Sequence, residues 1–191
     1  MYGIRAGAMA AAEPGLHRDL SLILTGYIEP NRPRIARELA RRLGLTLVDV
    51  EREIEARAGE PIGKIRDMYG ERRVKALETQ VMDQVLLYRR ALIRVAGSTL
   101  LNSGAVPELR RNGVIICLVA SLDSILRRMH LTLGARYHDP AERARALGDL
   151  KREWQIRELP GIVEFDATAI TEAILIERIV SYWRGLALRR G

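Results

Sequence analysis

Cysteine is nearly missing from this chain of 191 residues: Cys117 is its single thiol. One thiol cannot build a disulfide framework or a cysteine-based metal site within one chain. Flanked by Val114, Ile115, Ile116, Leu118 and Val119, it reads as a buried structural thiol in a strand. Histidine is scarce too, and His17, His130 and His138 are scattered without the spacing of metal ligands. Aromatic residues make up 5% of the chain, which leaves few stacking surfaces for single-stranded nucleic acid. No apolar run approaches the roughly 18 residues of a membrane span. No internal repeat and no linker divides the sequence.

What remains is 48% hydrophobic, enough for one domain with a substantial core. The formal net charge of +7 raises the question of a nucleic-acid partner. The arginines are mixed with glutamates at helical spacing, however, as in Glu51-Arg52-Glu53-Ile54-Glu55-Ala56-Arg57. Solvated helix faces have that pattern. A nucleic-acid module would need Arg127, Arg128, Arg143, Arg145 and Arg152 on one face, and it is the least favoured reading. Residues 1–18 are Ala/Gly-rich and too weakly apolar for a signal peptide. They read as a mobile extension before a single domain at 19–191, with a cytoplasmic address.

Strands are expected at Leu20–Thr25, Thr46–Val48, Leu92–Val95, Val114–Val119 and Gly161–Phe165. Helical patterns fall at Arg34–Leu43, Glu51–Ala58, Val74–Leu87, Leu122–His130, Ala141–Arg152 and Ala169–Trp183. Such alternation implies a three-layer α/β/α sandwich around a five-stranded parallel sheet. Gly134–Pro140 reads as an exposed loop. Arg94 stands in an otherwise apolar strand, and the sequence alone gives no account of it.

The first strand, turn and helix form the frame of a phosphate-binding P-loop. A working loop reads G-x-x-x-x-G-K-[ST], whereas this register reads Gly26-Tyr27-Ile28-Glu29-Pro30-Asn31-Arg32-Pro33. Such loops hold phosphates with backbone N–H groups, a lysine and a magnesium-bound hydroxyl. Pro30 and Pro33 supply no N–H, and Pro33 has no hydroxyl. Asn31 replaces a glycine, though it tolerates positive φ. Glu29 brings negative charge to the phosphate position. Arg32 keeps the charge of the lysine but not its shape. The simplest alternative is an ordinary Pro-rich turn with proline at a helix start.

Four further segments follow in order. They are Leu47-Val48-Asp49-Val50-Glu51-Arg52-Glu53-Ile54-Glu55, Ala58-Gly59-Glu60-Pro61-Ile62-Gly63-Lys64-Ile65-Arg66, Gly70-Glu71-Arg72-Arg73-Val74-Lys75-Ala76-Leu77-Glu78, and Ala96-Gly97-Ser98 after the third strand. With the degenerate loop, they resemble the shikimate kinase family of P-loop kinases, from about Leu20 to Leu186. The resemblance implies nucleotide binding at Gly26, Asn31 and Arg32, and magnesium near Asp49. It places Glu51 on the acid that holds the substrate hydroxyls and Lys75 on the arginine that pairs with the substrate carboxylate. Gly97 falls in a glycine triplet at the substrate, with Ala96 and Ser98 crowding that surface. Arg136 is the lid arginine the sequence offers, because the lid motif R-P-L-L is absent. Asp49 and Glu51 have a plainer reading as acids capping the next helix, and Lys75 as a solvated helix residue.

Two functions follow from the resemblance. The first is a pseudoenzyme without normal ATP-dependent shikimate phosphorylation, which binds a small anionic or hydroxy-acid ligand or regulates a protein partner and needs no cofactor. The second is a divergent kinase for shikimate or a related hydroxy acid in aromatic amino acid biosynthesis, using ATP and Mg with Arg32 and Asp49 as catalytic groups.

Overall fold

The computed structural model describes residues 19–26, 32–134 and 138–189. The expected positions 1–18, Asn31 and Arg136 lie outside the described residues, as do the side chains of Arg128, Arg145 and Arg152.

Strand β1 (Ser21–Gly26) is wholly buried. Helix α1 (Arg32–Leu43) follows and buries Ile35, Ala36, Leu39 and Ala40 as one stripe. Strand β2 (Thr46–Asp49) leads directly into α2 (Val50–Ala58). Asp49 is the N-cap of α2, its carboxylate accepting from Arg52 N–H at 3.3 Å. Gly59, in the left-handed region, closes the helix. Helix α3 spans Ile62–Val85 and bends at Gly70, whose φ of 76° and ψ of 169° are not helical. Strand β3 (Ala91–Arg94) precedes two short helices, α4 (Gly97–Ser103) and α5 (Val106–Asn112). Then come β4 (Gly113–Val119), α6 (Leu122–Leu133) and α7 (Pro140–Trp154), which runs into a 3₁₀ turn at Gln155–Glu158. Strand β5 (Val163–Asp166) and helix α8 (Glu172–Arg189) complete the domain.

The five strands form one parallel sheet in the order β2-β3-β1-β4-β5. This is the expected α/β architecture. Its central strands read as near-continuous apolar runs because helices cover both faces. Several details differ from expectation: the last helix, expected at Ala169–Trp183, spans Glu172–Arg189, and β1 and β3 are each displaced by one residue. Helix α3 begins at Ile62 rather than Val74; its first turns bury a single apolar side chain, Ile65, and carry two glycines. The pair α4 and α5 was not expected, because seven residues each, interrupted by Gly104, are too short to show a helical period. The last strand begins two residues later, at Val163.

Register decides what the sheet presents. Leu24 lies beside Arg94 in the β1–β3 ladder, and Asp49 lies beside Arg94 in the β2–β3 ladder. Neighbours in register point to the same face. Arg94 and Asp49 therefore emerge together at the carboxyl ends of adjacent strands, where open α/β sheets bind ligands.

Gly26 ends β1 with φ of 128°, and a β-carbon there would sit 2.2 Å from the Leu118 carbonyl oxygen. Both the torsion and the contact require glycine. Gly26→Ala is expected to cost at least about 3 kcal/mol in urea unfolding. Gly44→Ala, at positive φ but in open space, should cost about 1 kcal/mol; equal costs would contradict the close β1–β4 approach. Burial pushes the Cys117 thiol up to about 12. A thiol reagent at pH 8 should therefore modify it only as fast as the chain unfolds.

Candidate functional site

A cavity of about 1230 Å³ opens at the carboxyl ends of β2 and β3. Its walls come from the starts of α1, α2 and α4, from α3, and from the end of α7. The volume exceeds the usual range for a small-molecule site.

At its floor two arginines hold three carboxylates. Arg94 is 4% exposed. Its Nε donates to Asp49 Oδ2 at 2.9 Å and its Nη2 to Asp49 Oδ1 at 2.6 Å. This is a bidentate fork, the strong form of the guanidinium–carboxylate pair. The remaining nitrogen, Nη1, lies 2.8 Å from Glu51 Oε2. The other oxygen of Glu51, Oε1, accepts from Arg32 Nη2 at 3.0 Å. Arg32 is 1% exposed. It also lies 3.6 Å from Glu153 Oε2 and donates through Nη1 to the Gly26 carbonyl. One continuous ionic network thus ties β1, α1, β2, α2, β3 and α7 together.

Burying a guanidinium without partners is prohibitive. Here the cost is offset by direct ion pairs in a region of weak screening. Two cations face three anions, so the network itself leaves no surplus positive charge for an incoming phosphate. Arg32, expected at the phosphate, turns instead to Glu51 and Glu153. Asp49, expected beside magnesium or as a helix cap, is a cap and also the partner of Arg94.

Lys75 and Glu51 both line the cavity, the first from α3 and the second from α2. Lys75 is exposed on α3. Ala96 and Ser98 line the cavity too, whereas Gly97 is buried and does not. A β-carbon at position 97 would lie 3.1 Å from the Glu153 carbonyl oxygen and 3.3 Å from Ile156 Cβ. The bareness of Gly97 therefore serves the packing of the α7 end against α4.

Two site residues were not singled out for the site from the sequence. The sequence alone gives no account of Arg94; an acid ending β2 and a cation ending the adjacent strand are the available signal. Glu153 had no signal, since its contact with Arg32 spans most of the chain. Among the described arginines considered for a nucleic-acid face, Arg127 pairs with Asp123 one helical turn away at 2.5 Å. The same mixing of charge recurs where Arg41 and Arg42 both bind Glu38. Among the described residues no cluster suits a metal ion, and no helix is long and apolar enough to cross a membrane.

A family model described as shikimate kinase matches residues 33–178. The shikimate kinase of Caldicellulosiruptor bescii is 33% identical over 109 residues, covering 57% of this chain and 63% of that protein. The aligned part thus spans less than two thirds of that relative. The shikimate kinase of Thermodesulfovibrio yellowstonii is 25% identical over 170 residues, covering 87% of this chain and 96% of that one. Among solved structures, shikimate kinase from Bacteroides thetaiotaomicron superposes with a TM-score of 0.70 at 17% identity, covering 86% of this chain and 98% of its own. Shikimate kinase from Acinetobacter baumannii, solved in complex with shikimate, gives 0.69 at 19% identity, covering 87% and 94%. These superpositions carry the P-loop kinase fold, and the family match extends from the first helix into the last: the chain belongs to the shikimate kinase family.

Proposed function

We propose that this family member is a small-molecule-binding regulatory protein that does not carry out efficient phosphoryl transfer from ATP. The observation that carries the reading is the Arg94 fork. Phosphoryl transfer in such folds depends on positioning and on charge stabilisation by a metal ion and cationic donors. Here both oxygens of Asp49 accept from Arg94, and both oxygens of Glu51 face arginines. A hydrated magnesium ion needs carboxylate oxygens free to meet it. Proline at position 33 offers no hydroxyl in compensation. The residues present do not fit the metal, and no step is routed through it.

The loop sequence supports the same reading. Pro30 and Pro33 remove two backbone donors, and the family match begins only at residue 33. The cavity itself is retained, with Glu51, Lys75 and Ser98 on its walls. A small anionic or hydroxy-acid ligand is the occupant this proposal assigns. A protein partner that reads the ligand-bound state, and a cytoplasmic setting, belong to the same proposal. The divergent-kinase reading rests on Asp49, Glu51 and Lys75 standing in family order around that cavity.

A coupled assay with Mg-ATP and shikimate separates the two. The expected turnover is below roughly one-thousandth of the 1–100 s⁻¹ typical of kinases. Turnover above that level, lost in Asp49→Ala, would establish the kinase instead. Thermal unfolding gives a second test. Millimolar shikimate should raise the melting temperature and Mg-ATP should not. A ligand at about 100 times its dissociation constant adds roughly 2.7 kcal/mol.

Arg94→Leu tests the floor directly. Removing one partner of a buried ion pair costs about 3–5 kcal/mol. The variant should unfold at lower urea concentration, and millimolar Mg²⁺ should restore part of the loss by meeting the released carboxylates. The unaltered chain should not respond to Mg²⁺, and a response equal to that of the variant would contradict the proposal.

A further inference from the structure

Glu78 lies in the cavity wall on α3, one helical turn beyond Lys75, and is 7% exposed. Its Oε1 accepts from the Thr99 hydroxyl at 2.7 Å. Asn102 on α4 lines the same wall and favours the ionised form of this carboxyl. Its Oε2 is buried and has no hydrogen-bond partner among the described residues. No cation forms an ion pair with it there: Arg66 is committed to Glu71 at 2.7 Å, and Arg94 to Asp49 and Glu51. Glu71, on the same helix, adds negative charge. Glu55 of α2 accepts from the Ile62 N–H, at the start of the same helix α3, at 3.2 Å.

Without a donor to meet it, a buried oxygen of this kind is costly as an ion; protonated, it becomes a donor that an acceptor can satisfy. The last torsion of a glutamate is soft, so Oε2 can turn toward the cavity without moving α3. Lys75, one helical turn away and exposed, lines the same wall and brings a positive charge to it. Together they present one neutral O–H donor and one ammonium, which matches the two oxygens of a carboxylate.

Resting on the reading of a retained small-molecule cavity, we propose that Glu78 is a ligand-binding residue that works as a neutral acid, donating Oε2–H to the carboxylate of a small carboxylic acid held beside Lys75. Binding then requires one proton on Glu78, and affinity falls as pH rises. Burial holds the carboxyl above the usual carboxylate range, against the opposing effects of the Thr99 hydrogen bond and of Asn102. In the unliganded fold this favours the protonated form. The stability contribution is present below the unfolded carboxylate pKa and lost as pH rises through the folded value. Glu78→Gln removes the charge and keeps both an acceptor and a donor.

The test is calorimetric titration of the full chain with shikimate, without nucleotide, from pH 5.5 to 8.0. The expected result is a Kd rising up to about tenfold per pH unit on the alkaline side, with about one proton taken up on binding there. Glu78→Gln should bind with the low-pH affinity at every pH. It should also melt above the unaltered chain at pH 7.5, with the difference shrinking toward pH 4. A pH-independent Kd in the unaltered chain would overturn the proposal. So would the same pH slope in Glu78→Gln, or no binding of shikimate at any pH. Phosphoryl transfer from Mg-ATP would overturn the regulatory reading and leave this one standing. Failure to bind without turnover would overturn this proposal and leave standing only the absence of phosphoryl transfer.

Discussion

The site depends on one guanidinium. Arg94 forks onto the carboxylate that ends β2 and stands in ion-pair contact with the one that begins α2. A lysine could hold one of them, but not both in this geometry. Glu51 passes the constraint to Arg32, and Arg32 passes it to Glu153 and the end of β1. Each link is a charge whose partner is itself committed. Buried ion networks of this type add little stability over an apolar core, yet breaking one member is expensive. Their effect is to fix where side chains are, and here they fix the floor of the cavity.

In the regulatory reading proposed above, that floor separates two properties which kinases of this fold combine. The sheet, the crossover helices and the cavity are intact, because they rest on apolar burial along β1, β3 and β4. Asp49 and Glu51 are engaged by Arg94, and Arg32 by Glu51 and Glu153. A binding site and a phosphoryl-transfer site need different things: the first a shaped wall, the second charges held open for the reacting group. Lys75 and Glu78 on α3 stand apart from the Arg94 network, so the wall keeps its own polar character.

Much of this was legible in the sequence, for identifiable reasons. The parallel sheet followed from apolar runs alternating with helical periods, and Gly26, Asp49, Glu51 and Lys75 were marked by their order. The partner of Arg94 was hidden because a sequence shows neither strand order nor register. Once β2 lies beside β3 in register, Asp49 and Arg94 become neighbours without further assumption. Arg32 was read as facing an anion from solution, and its anions come from the chain. The first turns of α3 were missed because glycines at 63 and 70 dilute the period, and α4 and α5 because each is too short to have one. Glu153 was invisible, since a contact between residues 32 and 153 leaves no local trace.

Glu153 is held twice, its side chain near Arg32 and its carbonyl against Gly97. Helix α7 is therefore fastened at its carboxyl end. Its 15 residues extend roughly 22 Å from that fastening. A rod clamped at one end is a lever: a tilt of about 5° at the clamp moves the far end by about 2 Å. A rearrangement around Arg32 too small to change the cavity floor would thus reach the molecular surface enlarged, through rigid-body mechanics alone.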